Sequence, residues 1–250
     1  MSSKAEVPAL AGRTRSAKRL SPARVLSGVA LTAWAGMFWF LLVTGRTSLY
    51  LSARTSWVVP IGAVILTVAA IGRLASARLE NPDPAGPKEI FGVALIVFPV
   101  VTLLALPPAS LGSYAASRRS SVTSGSFVST ADDIQSGELS LVDVSGALRS
   151  RDAMRALVQR AGDRVDFTGF VRRDDSMPAN EFVLTRFLIS CCVADALSAE
   201  VRVVGAPPGQ FKSDQWVRVS GAMYPLGREV IVDATEVVKV DRPENPYLQP

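Results

Sequence analysis

The N-terminal half of the chain alternates long apolar stretches with short charged segments. Three stretches contain no Asp, Glu, Lys or Arg residue: 25–45, 55–72 and 90–117. Each has about 18 residues or more, and a helix of that length, rising about 1.5 Å per residue, spans a hydrocarbon core of about 30 Å. We therefore predict a membrane domain over residues 25–114. Its three transmembrane helices are predicted at about 25–45, 55–75 and 90–108.

Basic residues cluster on one side of these predicted helices. The arm 1–24 contains six Lys and Arg residues, and the second loop, 73–88, contains three. The first loop contains two, and Arg118 and Arg119 follow the third helix. Because cytoplasmic loops carry the excess of Lys and Arg, we predict a multi-pass protein of the cell membrane with a cytoplasmic arm and an extracytoplasmic C-terminal domain. The first apolar stretch is longer than the core of a signal peptide, so we expect it to be retained as an anchor.

The hydrophobic pattern changes after residue 114. A run rich in Ser, Thr and Gly predicts a flexible tether over 115–130, because it offers too little apolar surface to become ordered. An amphipathic pattern then predicts one helix, capped by Ser150 or Asp152 and closed by Gly162. Beyond Gly162 the apolar residues recur with a period of two, which is typical of β-strands.

Five strand-like runs follow this helix, separated by Gly-, Pro- and Asp-containing turns. Gly169 and Gly221 lie inside the first and fourth runs, where a strongly bent strand has little space for a Cβ atom. We therefore predict that residues 131–250 form a mostly-β domain, a small five-stranded OB-like barrel with one preceding helix. A β-sandwich is the alternative. The five runs are 164–172, 181–190, 200–204, 215–224 and 229–240.

Charge and composition exclude several classes of function. The net charge is +5, but residues 1–114 contain 11 Lys and Arg against 4 Asp and Glu, whereas residues 115–250 contain 16 against 18. The basic excess therefore belongs to the membrane half, and we expect no nucleic-acid partner. The chain has no His, which removes the commonest general base, and we predict that it is not an enzyme. With no charged residue inside the apolar stretches, a pore formed by this chain alone is not expected.

The candidate chemistry lies at two adjacent cysteines. Side chains of a regular strand alternate between its faces, so Cys191 and Cys192 act together only if the strand ends there. If a helical turn follows, Asp195 comes within reach of both thiols, and a divalent metal such as zinc could bind Cys191, Cys192 and Asp195. Arg186 is a further candidate for substrate contact, or an ion-pair partner of Asp195. A buried structural cysteine and thiol redox chemistry remain alternatives.

The same region carries a resemblance to a known family. Together with the apolar N-terminal half, it is similar to the YcgQ-like family of bacterial membrane proteins. Members of that family are described as permease subunits that pair with a separate, polytopic YcgR-like permease, so the resemblance implies an accessory role and supplies no catalytic residues. The matching residues are Leu49, Tyr50 and Leu51 after the first apolar stretch, and Arg186, Phe187, Cys191, Cys192, Ala194, Asp195, Ala196, Trp216, Val217, Val219, Ser220, Gly221 and 243–247 in the C-terminal half.

Two main functional hypotheses follow, and a purely structural scaffold is a third possibility. In the first, the chain is an accessory, non-pore subunit of a membrane permease complex, with the lipid bilayer and the YcgR-like permease as partners, and its extracytoplasmic domain contacts the substrate or gates the partner. In the alternative, it is a stand-alone, membrane-anchored extracytoplasmic protein that binds a metal or performs thiol redox chemistry. Co-purification with a permease favours the first hypothesis, and metal or thiol chemistry in the C-terminal domain favours the second.

Overall fold

The computed structural model describes residues 19–79, 84–106, 110–119, 121, 129–135, 137–174 and 176–249. Most of the predicted arm, residues 1–18, and half of the predicted tether, residues 120 and 122–128, lie outside these ranges. The chain forms two compact units, which are described separately. The first contains Met1–Phe40 and Pro60–Leu106, and the second contains Leu41–Val59 and Pro107–Pro250.

Three long apolar helices form the first unit, which confirms the prediction for the N-terminal half. All three are long and apolar enough to cross a membrane, and their ends lie within three residues of the predicted ones. A short antiparallel ladder joins β1 (Arg19–Leu20) to β2 (Arg78–Leu79). The helices are α1 (Pro22–Val43), α2 (Val58–Ala75) and α3 (Pro87–Ala105).

Helix α1 contacts both of the other helices through its tryptophans. The indole N–H of Trp34 donates to the backbone carbonyl of Ile96 in α3 at 3.0 Å, three residues before Pro99. The indole of Trp39 donates to the hydroxyl of Thr67 in α2 at 3.1 Å. Unpaired polar groups are costly in hydrocarbon, so these two bonds favour a fixed packing of α1 against α2 and α3.

A closed five-stranded barrel forms the centre of the second unit, as predicted. The hydrogen-bonded order is β3-β4-β5-β7-β6, with β6 returning to β3, and only the β5–β7 pair is parallel. This is a Greek-key barrel of the OB type. Its strands are β3 (Arg164–Arg172), β4 (Phe182–Leu188), β5 (Leu197–Val204), β6 (Trp216–Leu226) and β7 (Glu229–Lys239).

Both strand glycines lie where the barrel backbone is crowded. A Cβ atom on Gly169 would lie 2.6 Å from the carbonyl oxygen of Thr185 on β4. A Cβ atom on Gly221 would overlap the carbonyl oxygen of Asp233 on β7, at a shift in the β6–β7 register. The interior is filled by apolar side chains of the strands. Fully buried examples are Phe182, Leu184, Met223, Val171 and Val201.

Short helices precede the barrel. The last of them matches the predicted helix: Ser150 caps it by accepting a hydrogen bond from the Ala153 N–H at 3.3 Å, and Gly162 follows with a φ of 90°. The other three were not predicted, and the first of them overlaps the start of the proposed tether. The four helices are α4 (Ser113–Arg118), α5 (Ala131–Gln135), α6 (Leu141–Ala147) and α7 (Arg151–Gln159).

Helix α6 protects an open edge of the barrel. Strand β7 pairs with β5 only from Arg202 onward, which leaves the earlier backbone of β5 without that neighbour. There the Ser145 hydroxyl accepts a hydrogen bond from the Glu200 N–H at 3.0 Å and lies 3.3 Å from the Glu200 carbonyl oxygen. The Ser145 side chain therefore satisfies both the N–H and the carbonyl of Glu200. Without it, these backbone groups could pair with another strand.

Candidate functional site

Strand β4 ends before the two cysteines. It stops at Leu188, and a 3-10 turn over Val193–Asp195 follows Cys192. The strand alternation that would separate Cys191 from Cys192 therefore does not apply. Of the two geometries considered from the sequence, this is the one in which Asp195 can approach the thiols.

The Asp195 carboxylate folds back over residues 190–193, which we call the cysteine segment. It accepts hydrogen bonds from the backbone N–H groups of Ser190, at 3.1 Å, and Cys191, at 2.7 Å, and it also contacts the Cys191 thiol. Burial raises the pKa of Asp195, but these hydrogen bonds outweigh it and leave the pKa below its usual value. Asp195 is therefore a carboxylate that stabilises the turn.

The same contact keeps the Cys191 thiol protonated. The hydrogen bond to Asp195, followed by the contact with Cys192, raises the pKa of Cys191 to about 11. Its Sγ atom lies 3.6 Å from that of Cys192, and both cysteines are free thiols. Cys191 is exposed and Cys192 is half-buried. A thiolate is the nucleophilic and metal-binding form, so Asp195 suppresses both kinds of chemistry at Cys191 near neutral pH.

The loop that connects α1 to α2 docks on this cysteine segment. We call residues 44–57 the clamp loop; they belong to the same compact unit as the barrel. Their backbone pairs with the segment in an antiparallel bridge between Leu51 and Cys192. The Val193 N–H donates to the Tyr50 carbonyl at 2.9 Å, and the Ser52 N–H donates to the Cys191 carbonyl at 3.1 Å.

Two hydroxyls of the clamp loop reinforce the backbone pairing. Ser52 Oγ donates to the Ser190 carbonyl at 2.9 Å, and Thr55 Oγ1 donates to the Cys191 carbonyl at 2.6 Å. Ser52 is fully buried at this contact. The clamp loop thus holds the carbonyl oxygens of Ser190 and Cys191 and the N–H of Val193, whereas Asp195 holds the N–H groups of Ser190 and Cys191.

Arg186 serves another part of the barrel. Its guanidinium donates to the carbonyls of Asn245, at 2.8 Å, and Pro246, at 3.1 Å, and lies 5.8 Å from the ring centre of Trp216. Burial lowers the pKa of Arg186. Among the ion pairs of the described residues, none joins Arg186 to Asp195. The structure therefore brings three of the four candidate residues together and assigns Arg186 to the C-terminal segment.

Tyr247, which the sequence analysis named only as part of the matching segment 243–247 and without a role, links three parts of this unit. Its buried hydroxyl donates to the Leu49 carbonyl of the clamp loop at 3.1 Å and accepts from the Leu111 N–H at 3.2 Å. The neighbouring residue, Leu248, pairs with the end of β4 through Phe187 and Ile189. An isolated aromatic residue in a polar C-terminal tail was the available signal for such an anchor.

The predicted zinc site meets a specific obstacle. Both Asp195 carboxylate oxygens accept backbone N–H groups, and a metal bound through Cys191 must displace the thiol proton that Asp195 stabilises. In the described part of the chain, no three or more Cys, Asp and Glu side chains are grouped so as to hold a metal ion. Binding of zinc by Cys191, Cys192 and Asp195 stays a prediction, and it requires this turn to rearrange.

The C-terminal part of the chain matches the model of a known protein family. Residues 150–250 match the DUF1980 C-terminal domain. The match includes α7, the whole barrel, the cysteine segment and Tyr247, whereas the clamp loop lies outside it. A DUF1980 domain indicates a membrane-associated protein, in agreement with the three apolar helices. No curated protein matches the chain.

The hydrogen bond between Asp195 and Cys191 gives a prediction about thiol reactivity. With a pKa of about 11, about one Cys191 thiol in a hundred is ionised at pH 9. Asp195→Asn removes the negative charge that favours the protonated thiol, so the alkylation rate of Cys191 at pH 9 should rise by about tenfold or more. Site-resolved mass spectrometry after iodoacetamide treatment measures this rate. Asp152→Asn, at an exposed position of α7, is the control, and equal rates in both variants would contradict the proposed contact.

Proposed function

We propose that the chain is an accessory, non-pore subunit of a membrane permease complex. Its partner in this proposal is a polytopic permease of the YcgR-like kind. The N-terminus lies in the cytoplasm, and the barrel lies on the extracytoplasmic side, where it contacts the substrate or gates the permease. The distribution of Lys and Arg supports this orientation.

The docked clamp loop is the observation that carries the proposal. The loop leads directly from the end of α1 to the start of α2, and it is held by four hydrogen bonds to residues 190–193 of the barrel domain. A displacement of that segment moves the carbonyls that hold Ser52 and Thr55, and so acts on the ends of two membrane helices. A simple anchor does not need such a connection, whereas a subunit that passes the state of the barrel to a membrane partner does.

Membership of the clamp loop in the barrel unit also supports the proposed topology. A loop bound to the barrel must lie on the same side of the membrane as the barrel. With α1 ending at this loop, α2 and α3 must cross to the other side and back before the chain enters the barrel domain. Three crossings satisfy this requirement.

The surfaces of the helices support a non-pore role. The described membrane helices carry large exposed apolar side chains, such as Phe91, Leu95 and Phe98 on α3. Between residues 90 and 105, α3 contains no ionisable residue. Such a surface is suited to contact with lipid or another membrane protein, whereas a conduction pathway usually requires polar groups facing a cavity. In this proposal the pathway therefore belongs to the permease.

The test uses reconstituted liposomes. It separates binding of the chain to the permease from the effect of the clamp loop on transport by the pair. The chain alone, the permease alone and the pair are assayed for flux of divalent cations and small anions. We expect flux from the pair, none from the chain alone, and at least a several-fold loss when Ser52→Ala and Thr55→Val are combined, because these changes remove two hydroxyl bonds to the cysteine segment. Co-purification with the permease should persist in this double variant.

Ser56→Ala is the matched control, because among the described residues the Ser56 hydroxyl donates only within the clamp loop, to the Ala53 carbonyl at 2.9 Å. Flux from the chain alone would contradict the non-pore role. Full flux from the pair with the double variant would contradict coupling through the clamp loop. Failure of the wild-type chain to co-purify with the permease would overturn the subunit proposal itself.

A further inference from the structure

The two adjacent thiols have no role in the accessory function proposed above. Their Sγ atoms lie 3.6 Å apart, and both cysteines are free thiols. Cys191 is exposed and Cys192 is half-buried, so a reagent in solution can reach the pair. The structure therefore contains an accessible dithiol in its reduced form.

The peptide group between the two cysteines carries much of the attachment of the clamp loop. Its carbonyl oxygen, which belongs to Cys191, accepts hydrogen bonds from the Ser52 N–H at 3.1 Å and from Thr55 Oγ1 at 2.6 Å. These are two of the four hydrogen bonds between the loop and the cysteine segment. Half of this attachment therefore depends on the orientation of a single peptide plane.

A second part of the chain reaches the same segment. Arg119, which follows α4, donates to the Val193 carbonyl at 2.6 Å. The cysteine segment thus contacts both the loop that joins α1 to α2 and the connection that follows α3. A change of backbone conformation at the cysteines therefore acts on both.

A disulfide between adjacent residues strains the peptide group that they share. Cα atoms joined by a trans peptide are about 3.8 Å apart, whereas those of disulfide-bonded residues are usually about 4.4–6.8 Å apart. Closing the ring must therefore distort the backbone between the cysteines and reorient the Cys191 carbonyl that Ser52 and Thr55 bind. Strained and exposed disulfides are also the easily reduced ones, which suits a reversible modification.

We propose that Cys191 and Cys192 form a reversible vicinal disulfide, and that its formation releases the clamp loop from the cysteine segment. The oxidant is itself a disulfide, either of a small thiol or of a thiol–disulfide oxidoreductase. Disulfides persist on the extracytoplasmic side, where the proposed orientation places the barrel. In the reduced state the loop is docked and the barrel is coupled to α1 and α2, and in the oxidised state this coupling is lost.

The reaction is a thiol–disulfide exchange in two steps. The Cys192 thiolate attacks one sulfur of the oxidant, the disulfide of the oxidant breaks, and its other sulfur leaves as a thiolate. Cys191 Sγ then attacks Cys192 Sγ, which forms the vicinal disulfide and releases the second thiol of the oxidant. Two electrons pass from the cysteines to the oxidant, and the two cysteine protons end on its two thiols. Cys192 makes the first attack, because the hydrogen bond to Asp195 raises the pKa of Cys191.

This inference adds regulation to the proposed function and rests on that function only for its effect on transport. Oxidation of the cysteines and release of the loop need no permease, so both can be measured on the chain by itself. A chain that oxidises and releases its loop but does not bind the permease would remove the subunit proposal alone. A chain that binds the permease but does not oxidise would remove the disulfide alone.

The first experiment treats the purified full chain in detergent with glutathione disulfide. Peptide mass spectrometry should show a disulfide between Cys191 and Cys192 of one chain, without bound glutathione, and dithiothreitol should reverse it. Cys191→Ser lacks the second attacking thiol, so it should stop at a mixed disulfide between glutathione and Cys192. In the wild-type chain, no oxidation, mixed disulfides alone, or disulfides only between two chains would overturn the proposal.

The second experiment measures hydrogen exchange in the reduced and oxidised chain. The Ser52 N–H donates across the docked contact, so its exchange should become about tenfold faster or more after oxidation. Exchange in the β3–β6 ladder is the internal reference and should stay the same. An oxidised chain in which Ser52 exchanges as slowly as in the reduced chain would overturn release of the loop.

The third experiment uses the reciprocity between oxidation and docking. Because oxidation weakens docking, weaker docking must favour oxidation. In a glutathione buffer of fixed composition, combining Ser52→Ala with Thr55→Val should raise the ratio of oxidised to reduced chain at least about threefold. Ser56→Ala, whose hydroxyl bonds within the loop, should leave this ratio unchanged. Equal ratios in the double variant and in Ser56→Ala would contradict the coupling between the disulfide and the loop.

Discussion

Replacing Gly221 with alanine should destabilise the barrel by about 3 kcal/mol or more. The new Cβ atom would overlap the Asp233 carbonyl oxygen and lie 2.9 Å from the Ala234 Cα atom. Both contacts are with the backbone of β7, so no side chain can rotate away to relieve them. The adjacent register shift between Ser220 and Gly221 shows that the β6–β7 pairing is already irregular here.

Thermal unfolding of the full chain in detergent, followed through the β-sheet signal of circular dichroism, measures this effect. For a domain of this size, the expected loss corresponds to a decrease in Tm of more than about 10 °C. Gly36→Ala is the control for the change of residue type, since a Cβ atom on Gly36 meets no atom within 4 Å. A decrease in Tm of the same size in Gly36→Ala, or none in Gly221→Ala, would show that crowding at β7 is not the cause.

Truncating Tyr247 should have the second large effect. The ring is buried in the apolar cluster formed with Phe170, Phe187 and Trp216, and its hydroxyl joins the clamp loop to residue 111. Tyr247→Ala removes both the ring and the hydroxyl and should cost about 3–5 kcal/mol, as for other large-to-small aromatic changes. Tyr247→Phe keeps the ring and should cost about 1–2 kcal/mol for the lost hydrogen bonds.

Chemical denaturation of the two variants separates these contributions. Tyr224→Phe is the control, because Tyr224 is an exposed residue on the outside of β6 and its substitution should change stability little. Equal losses for Tyr247→Ala and Tyr247→Phe would mean that the ring contributes nothing. An unchanged Tyr247→Phe variant would mean that its hydroxyl does not hold the clamp loop.

The regular elements of the chain could be predicted because each has a local pattern. The apolar stretches gave the three helices, and the period-two runs gave five strands whose ends are shifted by at most three residues. Gly169 and Gly221 were expected to relieve crowding, and the backbone contacts described at both positions confirm this expectation. Helices α4, α5 and α6 were missed because runs of 5–7 residues are too short to show helical periodicity.

The candidate site was predictable only in part. The spacing of Cys191, Cys192 and Asp195 suggested that a turn could bring them together, and the structure contains that turn. The docking of the clamp loop had no comparable signal. Docking depends on the backbone carbonyls of Ser190 and Cys191, and every residue has such a group. The side chains at these positions therefore do not indicate that Ser52 and Thr55, 138 and 136 residues earlier in the chain, bind there.

The distance along the chain between the clamp loop and its binding segment also fixes an order of synthesis. Ser52 leaves the ribosome long before Ser190, which lies 138 residues later, so α1 and α2 can insert while the barrel is still being translated. Until the barrel presents residues 190–193, the loop lacks the partners of its four hydrogen bonds to that segment. Docking of the loop is thus a late step of biogenesis. A docked clamp loop therefore distinguishes a completed molecule from one whose C-terminal domain has not been made or has not folded.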